Sequence, residues 1–155
     1  MNKVIPKSFF VTSGKAVSKV STLNAFDLAL KAAGLSECNI VRVSSIIPPN
    51  CVETKPKKIP VGSITYAVMA AAEGTGGTIS AGIAYGIDEE EGYGLVAEAY
   101  GCMDQASLRK ELERRLAEMA RVRGIELDNT KYRIETLEVP EGSHGSVLAA
   151  LVYIV

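Results

Sequence analysis

The chain holds no tryptophan, a single histidine and only three cysteines among its 155 residues, and each shortage closes off a class of chemistry. Cys38, Cys51 and Cys102 are odd in number, widely spaced and form no CxxC pair. A structural zinc site wants about four Cys or His ligands in paired spacing, so no zinc site is predicted. His144 lies in Glu141-Gly142-Ser143-His144-Gly145-Ser146, a run of turn formers, and reads as an exposed turn histidine. With no nucleophile motif beside it, it does not suggest a triad. Charge of one sign is also missing. The formal net charge is -1 and there is no long basic run, so the electrostatic footprint of a nucleic-acid binder is absent. No apolar run is long enough to cross a bilayer. The first seven residues lack the extended apolar segment of a secretory signal, which predicts a cytoplasmic protein. The glycine cluster at 74–77 follows neither the dinucleotide nor the P-loop pattern and reads as a hairpin connection. The acidic stretch 88–91 reads as a solvated loop, with no metal expected.

What is present is the balance of a globular domain: 47% hydrophobic and 23% charged residues, too apolar for disorder. The length suits one domain spanning 1–155. Residues 9–12 are β formers that end at Ser13-Gly14, and 17–20 suggest a second short strand. Residues 23–34 read as a helix capped by Thr22 or Asn24 and stopped by Gly34. A β-branched run at 39–43 precedes Pro48-Pro49, and 50–60 is polar, lysine-rich loop. Apolar strands are predicted at 64–72, 78–87 and 94–100. Asp104 can cap a long helix whose stripe is Leu108, Leu112, Leu116, Met119 and Val122, with Gly124 as its stop. Residues 132–139 and 146–155 supply the last strands. This order favours α+β layers over a doubly wound sheet.

The segment Ile40-Val41-Arg42-Val43-Ser44-Ser45-Ile46-Ile47-Pro48-Pro49 is unusual because two serines interrupt an apolar β run just before a diproline. One reading is a strand end and proline turn, with the hydroxyls capping backbone groups. The other is self-processing. A serine hydroxyl held against the preceding carbonyl can attack it and turn the amide into an ester, helped by strain and by donors to the developing oxyanion. Elimination then leaves dehydroalanine, which hydrolyses to a pyruvoyl cap with loss of ammonia. On local pattern alone Glu98 is a polar position of an alternating strand, Asp27 is a helix-surface carboxylate, and Arg42 has no assignable chemistry.

Taken in order, Leu23-Asn24-Ala25-Phe26-Asp27, then Asn39 to Pro49, then Gly94-Leu95-Val96-Ala97-Glu98, then Arg123-Gly124-Ile125-Glu126-Leu127-Asp128 resemble the pyruvoyl-dependent arginine decarboxylase family. The resemblance runs from about Leu23 to the C-terminus, and the first twenty residues add nothing to it. It implies a four-layer αββα sandwich in a single domain cleaved into two subunits, 1–44 and 45–155. It implies cleavage between Ser44 and Ser45, with Ser45 becoming a covalently bound pyruvoyl group. Asn39 matches the asparagine near that group, Asp27 the carboxylate that pairs with the substrate guanidinium, and Glu98 the proton donor. The implied assembly is a trimer of cleaved protomers with active sites between neighbours, the pairing of trimers being left open. The implied reaction converts L-arginine to agmatine and carbon dioxide, towards polyamines. Two alternatives stand beside it: another amino acid as substrate, against an acidic one of which Asp27 speaks, and a non-catalytic trimeric module of the same fold.

Overall fold

The first strand runs unbroken through Ser13-Gly14, where the sequence predicted a stop. In the computed structural model, which describes residues 2–155, β1 spans Ser8–Ser18 and pairs with the last strand from Ser8↔Ile154 to Ser18↔His144. Gly14 serves close packing rather than a turn. A Cβ there would lie 2.2 Å from the Ala29 carbonyl oxygen, so only glycine lets the first helix settle onto the strand. That helix, α1, spans Thr22–Ala32 and buries Ala25 and Ala29. Its cap is Ser21, whose side chain accepts from the Asn24 N–H, ahead of both expected residues, Thr22 and Asn24. Thr22 sits inside the first turn, where its hydroxyl meets His144 instead. Gly34 ends the helix in the left-handed region as expected, at φ 79°.

The remaining elements are β2 Asn39–Arg42, β3 Ile46–Ile47, β4 Val52–Glu53, β5 Ile64–Gly74, β6 Gly77–Ile87, β7 Gly94–Gly101, α2 Gln105–Arg123, β8 Asp128–Val139 and β9 His144–Ile154. They form a five-stranded sheet, β2-β5-β9-β1-β4, and a four-stranded sheet, β3-β7-β6-β8. The α+β class is as expected, but the hairpin predicted at 74–77 is not formed. β5 and β6 belong to different sheets, and the glycines carry the chain from one to the other. Both strands are buried along most of their length, so each needs strand neighbours and cover on both faces, which pairing with each other alone cannot supply.

Three apolar clusters follow from this order. Phe10, Ala29, Leu35, Met69 and Leu148 join α1 to the five-stranded sheet. Phe9, Val68, Ile79, Ile83, Val96 and Leu151 fill the space between the sheets. Leu95, Ala97, Leu108, Leu112 and Leu116 join the four-stranded sheet to α2. Complete burial of the valine, leucine, isoleucine, methionine and phenylalanine side chains among these stabilises by about 1.5–3 kcal/mol each. Asp104 caps α2 and Gly124 closes it, as predicted. Val122 leaves the predicted stripe and is 66% exposed, because Ile125 and Leu127, just beyond the helix, cover that end of the cluster. His144 is not a turn residue. It opens β9, half-buried, with Nδ1 3.2 Å from the Thr22 hydroxyl. The loop 50–60 is interrupted by β4, which pairs in parallel with the start of β1. No helix among the described residues is long and apolar enough to cross a membrane.

Candidate active site

Ser44 and Ser45 lie where the chain leaves one sheet for the other. β2 is an edge of the five-stranded sheet and β3 an edge of the four-stranded sheet, so residues 43–45 bridge two open edges. Val41 and Val43 favour extended backbone up to the crossing. Pro48 and Pro49, which have no N–H to give a ladder, hold β3 to two residues. Each side of the crossing is fastened. The Val43 N–H donates to the Ala67 carbonyl at 3.0 Å, and the Val96 N–H donates to the Ser45 carbonyl at 2.8 Å. One residue further on, the Tyr153 hydroxyl donates to the Ile46 carbonyl at 2.5 Å. Ser44 lies between these anchors in irregular backbone and is exposed, while Ser45 is half-buried. A cleft of about 370 Å³ opens beside them, lined chiefly by Val43, Ser44, Ser45, Ile46, Tyr66 and Tyr153.

Glu98 is brought to the same edge. Ile46 faces Leu95 in the ladder, which sets Ser45 level with Val96, and Glu98 follows two residues on, about 7 Å along the strand. Val96 and Glu98 share a face, and Val96 belongs to the cluster between the sheets. β3 is too short to pair with β7 at the level of Glu98, which leaves the sheet edge open there, and the residue is exposed although it stands on the inner face. The surroundings of its carboxyl are nonetheless crowded. Desolvation holds the carboxyl above its ordinary range, opposed by the positive charges of Arg42 and Arg115. Arg115 also donates to the Glu98 main-chain carbonyl at 2.8 Å and pairs with Glu111 at 2.7 Å. A carboxyl that stays protonated to higher pH than usual is suited to giving a proton.

Two of the predicted site residues stand elsewhere in the protomer. Asn39 is exposed at the start of β2, its amide donating to the Gly62 carbonyl at 2.9 Å. At about 3.3 Å per extended residue it lies at most about 17 Å from Ser44, with strand geometry holding as far as Arg42. Asp27 is exposed on α1 and does not line the cleft. Arg42, Tyr153 and the Val96 N–H went unassigned in the sequence. Arg42 carried one available signal, its place two residues before Ser44. Tyr153 and Val96 carried none, since both are brought to the crossing by pairing between residues about fifty or more positions apart.

The site suits a pyruvoyl group. Such a group has three carbons and no charge, and Ser45 would carry it within an apolar cleft, with its own carbonyl already fixed by the Val96 N–H. Comparison with known proteins agrees. A family model described as pyruvoyl-dependent arginine decarboxylase matches residues 8–155. The chain is 36% identical over 149 residues to the pyruvoyl-dependent arginine decarboxylase of Methanopyrus kandleri, covering 96% of this chain and 97% of the relative. It is 31% identical over 157 residues to the protein of that name from Pyrococcus horikoshii, covering 99% of each. A probable pyruvoyl-dependent arginine decarboxylase of Chlorobaculum tepidum is 37% identical over 137 residues, covering 82% of this chain and 75% of the relative. With a match over nearly its whole length and a paired-serine crossing that suits the prosthetic group, the chain belongs to the pyruvoyl-dependent arginine decarboxylase family.

Proposed function

We propose that this chain cuts itself between Ser44 and Ser45 and, so processed, decarboxylates L-arginine to agmatine and carbon dioxide. The observation that carries the reading is the crossing itself: two serines held between main-chain anchors on separate sheets, beside an apolar cleft. In the processing step the Ser45 Oγ bonds to the Ser44 carbonyl carbon and the peptide C–N bond breaks, giving an ester and a free amine. Loss of the Ser45 α-proton, with departure of the Ser44 carboxylate, leaves a double bond at residue 45. One water enters and one ammonia leaves, and residue 45 becomes the pyruvoyl start of fragment 45–155.

When present, the pyruvoyl group would supply a ketone for the substrate amine and an adjacent amide carbonyl able to take up the electron pair released as carbon dioxide departs. The protein's residues do the rest. The Val96 N–H keeps the residue-45 carbonyl in place. The protonated Glu98 carboxyl gives its proton to the substrate α-carbon. The Asp27 carboxylate grips the guanidinium through two parallel hydrogen bonds. Because Asp27 and Asn39 lie away from Ser45 within one protomer, they reach a neighbour's Ser45 in an assembly of the four-layer αββα protomers, a homotrimer with its sites between copies. The separation of these residues on a single chain is what supports that arrangement.

The test is the intact mass of purified protein, followed by turnover of arginine. Two species, 1–44 and a 45–155 fragment lacking its starting amine, are expected, with agmatine as product. Ser45→Ala should remain one chain and be inactive. A wild-type chain that stays whole after prolonged incubation overturns the reading.

A further inference from the structure

Tyr153 has a hydroxyl that the function so far leaves idle. It stands on β9 opposite Phe9 of β1, in the five-stranded sheet, and its ring packs between the sheets, 6% exposed. From there the hydroxyl reaches the Ile46 carbonyl on the four-stranded sheet, one residue downstream of Ser45. It is therefore a side-chain tie between the two sheets at the point where the chain crosses them. Burial, with Cys51 nearby, pushes the phenol far above its ordinary range, so it remains a donor across the physiological pH span.

We infer that Tyr153 is a positioning residue for self-cleavage, its hydroxyl fastening Ile46 so that the Ser45 side chain is held against the Ser44 carbonyl. The inference rests on the self-processing reading above. Attack by a side chain on its own preceding carbonyl closes a small ring, and its rate depends on how tightly the main chain on both sides is fixed. Upstream, Val43 is tied to β5. Downstream, the Val96 and Tyr153 bonds fall on consecutive carbonyls, those of Ser45 and Ile46. Removing the Tyr153 hydroxyl frees the second of them and leaves the Ile46 carbonyl without that partner, while the ring stays to fill the core. The same tie would keep the new chain start seated in the cleft once the bond is cut.

The experiment follows the first-order rate of chain cleavage in freshly translated protein, by intact mass, for wild type, Tyr153→Phe and Ser80→Ala. Ser80 is a matched control. Its buried hydroxyl donates to the Met103 carbonyl at 2.7 Å, and at five residues along β6 from the level of Ser45 it lies about 17 Å away. Tyr153→Phe should cleave about tenfold or more slowly, with Ser80→Ala within about twofold of wild type at comparable melting temperature. In the uncleavable Ser45→Ala background, Tyr153→Phe should also speed amide hydrogen exchange across residues 45–47. A Tyr153→Phe chain that cleaves at the wild-type rate, or equal slowing in both variants, overturns the inference while leaving the function standing. A wild-type chain that never cleaves overturns both.

Discussion

At Glu98 the local crowding has a measurable thermodynamic sign. Its carboxyl is raised above 4.5, so the folded protein keeps a proton at a pH where the unfolded chain has released it. Stability tied to this group is fully present below about pH 4.5 and is lost as pH rises through the folded-state value. Glu98→Gln removes the dependence. The melting temperature of the variant relative to wild type should therefore climb between pH 4 and pH 8, and a gap that stays constant would count against a desolvated carboxyl. In fully cleaved material the same variant should lose about 10²–10⁴-fold in turnover, the usual cost of removing a general acid. Arg42 gives a second test. Its charge lowers the Glu98 carboxyl, so Arg42→Met should move the alkaline fall of kcat/KM to higher pH. An unmoved profile would return Arg42 to a purely structural role. The sequence offered Glu98 as a candidate acid but not the charge that acts on it, because Arg42 and Glu98 come near each other only through the folding of separate sheets.

The elements differ in how readily their sequence disclosed them. α2 was legible because capping, a spaced leucine stripe and a terminal glycine all agree over one long segment. The 74–77 glycines do turn the chain, with Gly77 at φ 72°, but into the other sheet, whereas Ser13-Gly14 was misread as a stop. A glycine demanded by the close approach of another element looks the same in sequence as a glycine demanded by a turn. The paired serines could be seen, but not that they join two edges, since sheet membership is decided by partners far along the chain. Gly14→Ala tests this interpretation. The added methyl meets the Ala29 carbonyl oxygen of α1, so the helix must move off the strand. Overpacking of this kind costs about 1–3 kcal/mol, read as a lowered denaturant midpoint with an unchanged slope. A neutral substitution would mean that α1 is free to shift.

For the molecule as a whole, the distance of Asp27 and Asn39 from Ser45 becomes a question of assembly. If each site takes its serine from one protomer and its guanidinium partner from the next, two defective chains can repair one another. Ser45→Ala alone has no processed residue, and Asp27→Asn alone should lose roughly thirtyfold or more on arginine, given about 2–5 kcal/mol for breaking a desolvated charge pair. Co-expressed, the two should form some sites that combine an intact Ser45 with an intact Asp27, and activity should exceed the sum of the separate variants. Activity no greater than that sum would place the complete site within one chain.

The proposed cleavage at the crossing would also decide how the two pieces are held. Fragment 1–44 would contain β1, α1 and β2, and β1 lies between β9 and β4, both from fragment 45–155. Its eleven-residue ladder to β9 means the smaller piece is threaded into the larger one's sheet and cannot leave without opening it. So processed, the protein would be a split chain whose parts are inseparable when folded but independent when unfolded. Its melting would become a dissociation, and the mass-action law would follow. The cleaved protomer should melt at a temperature that rises with protein concentration, while Ser45→Ala, held as one chain, should lack that contribution.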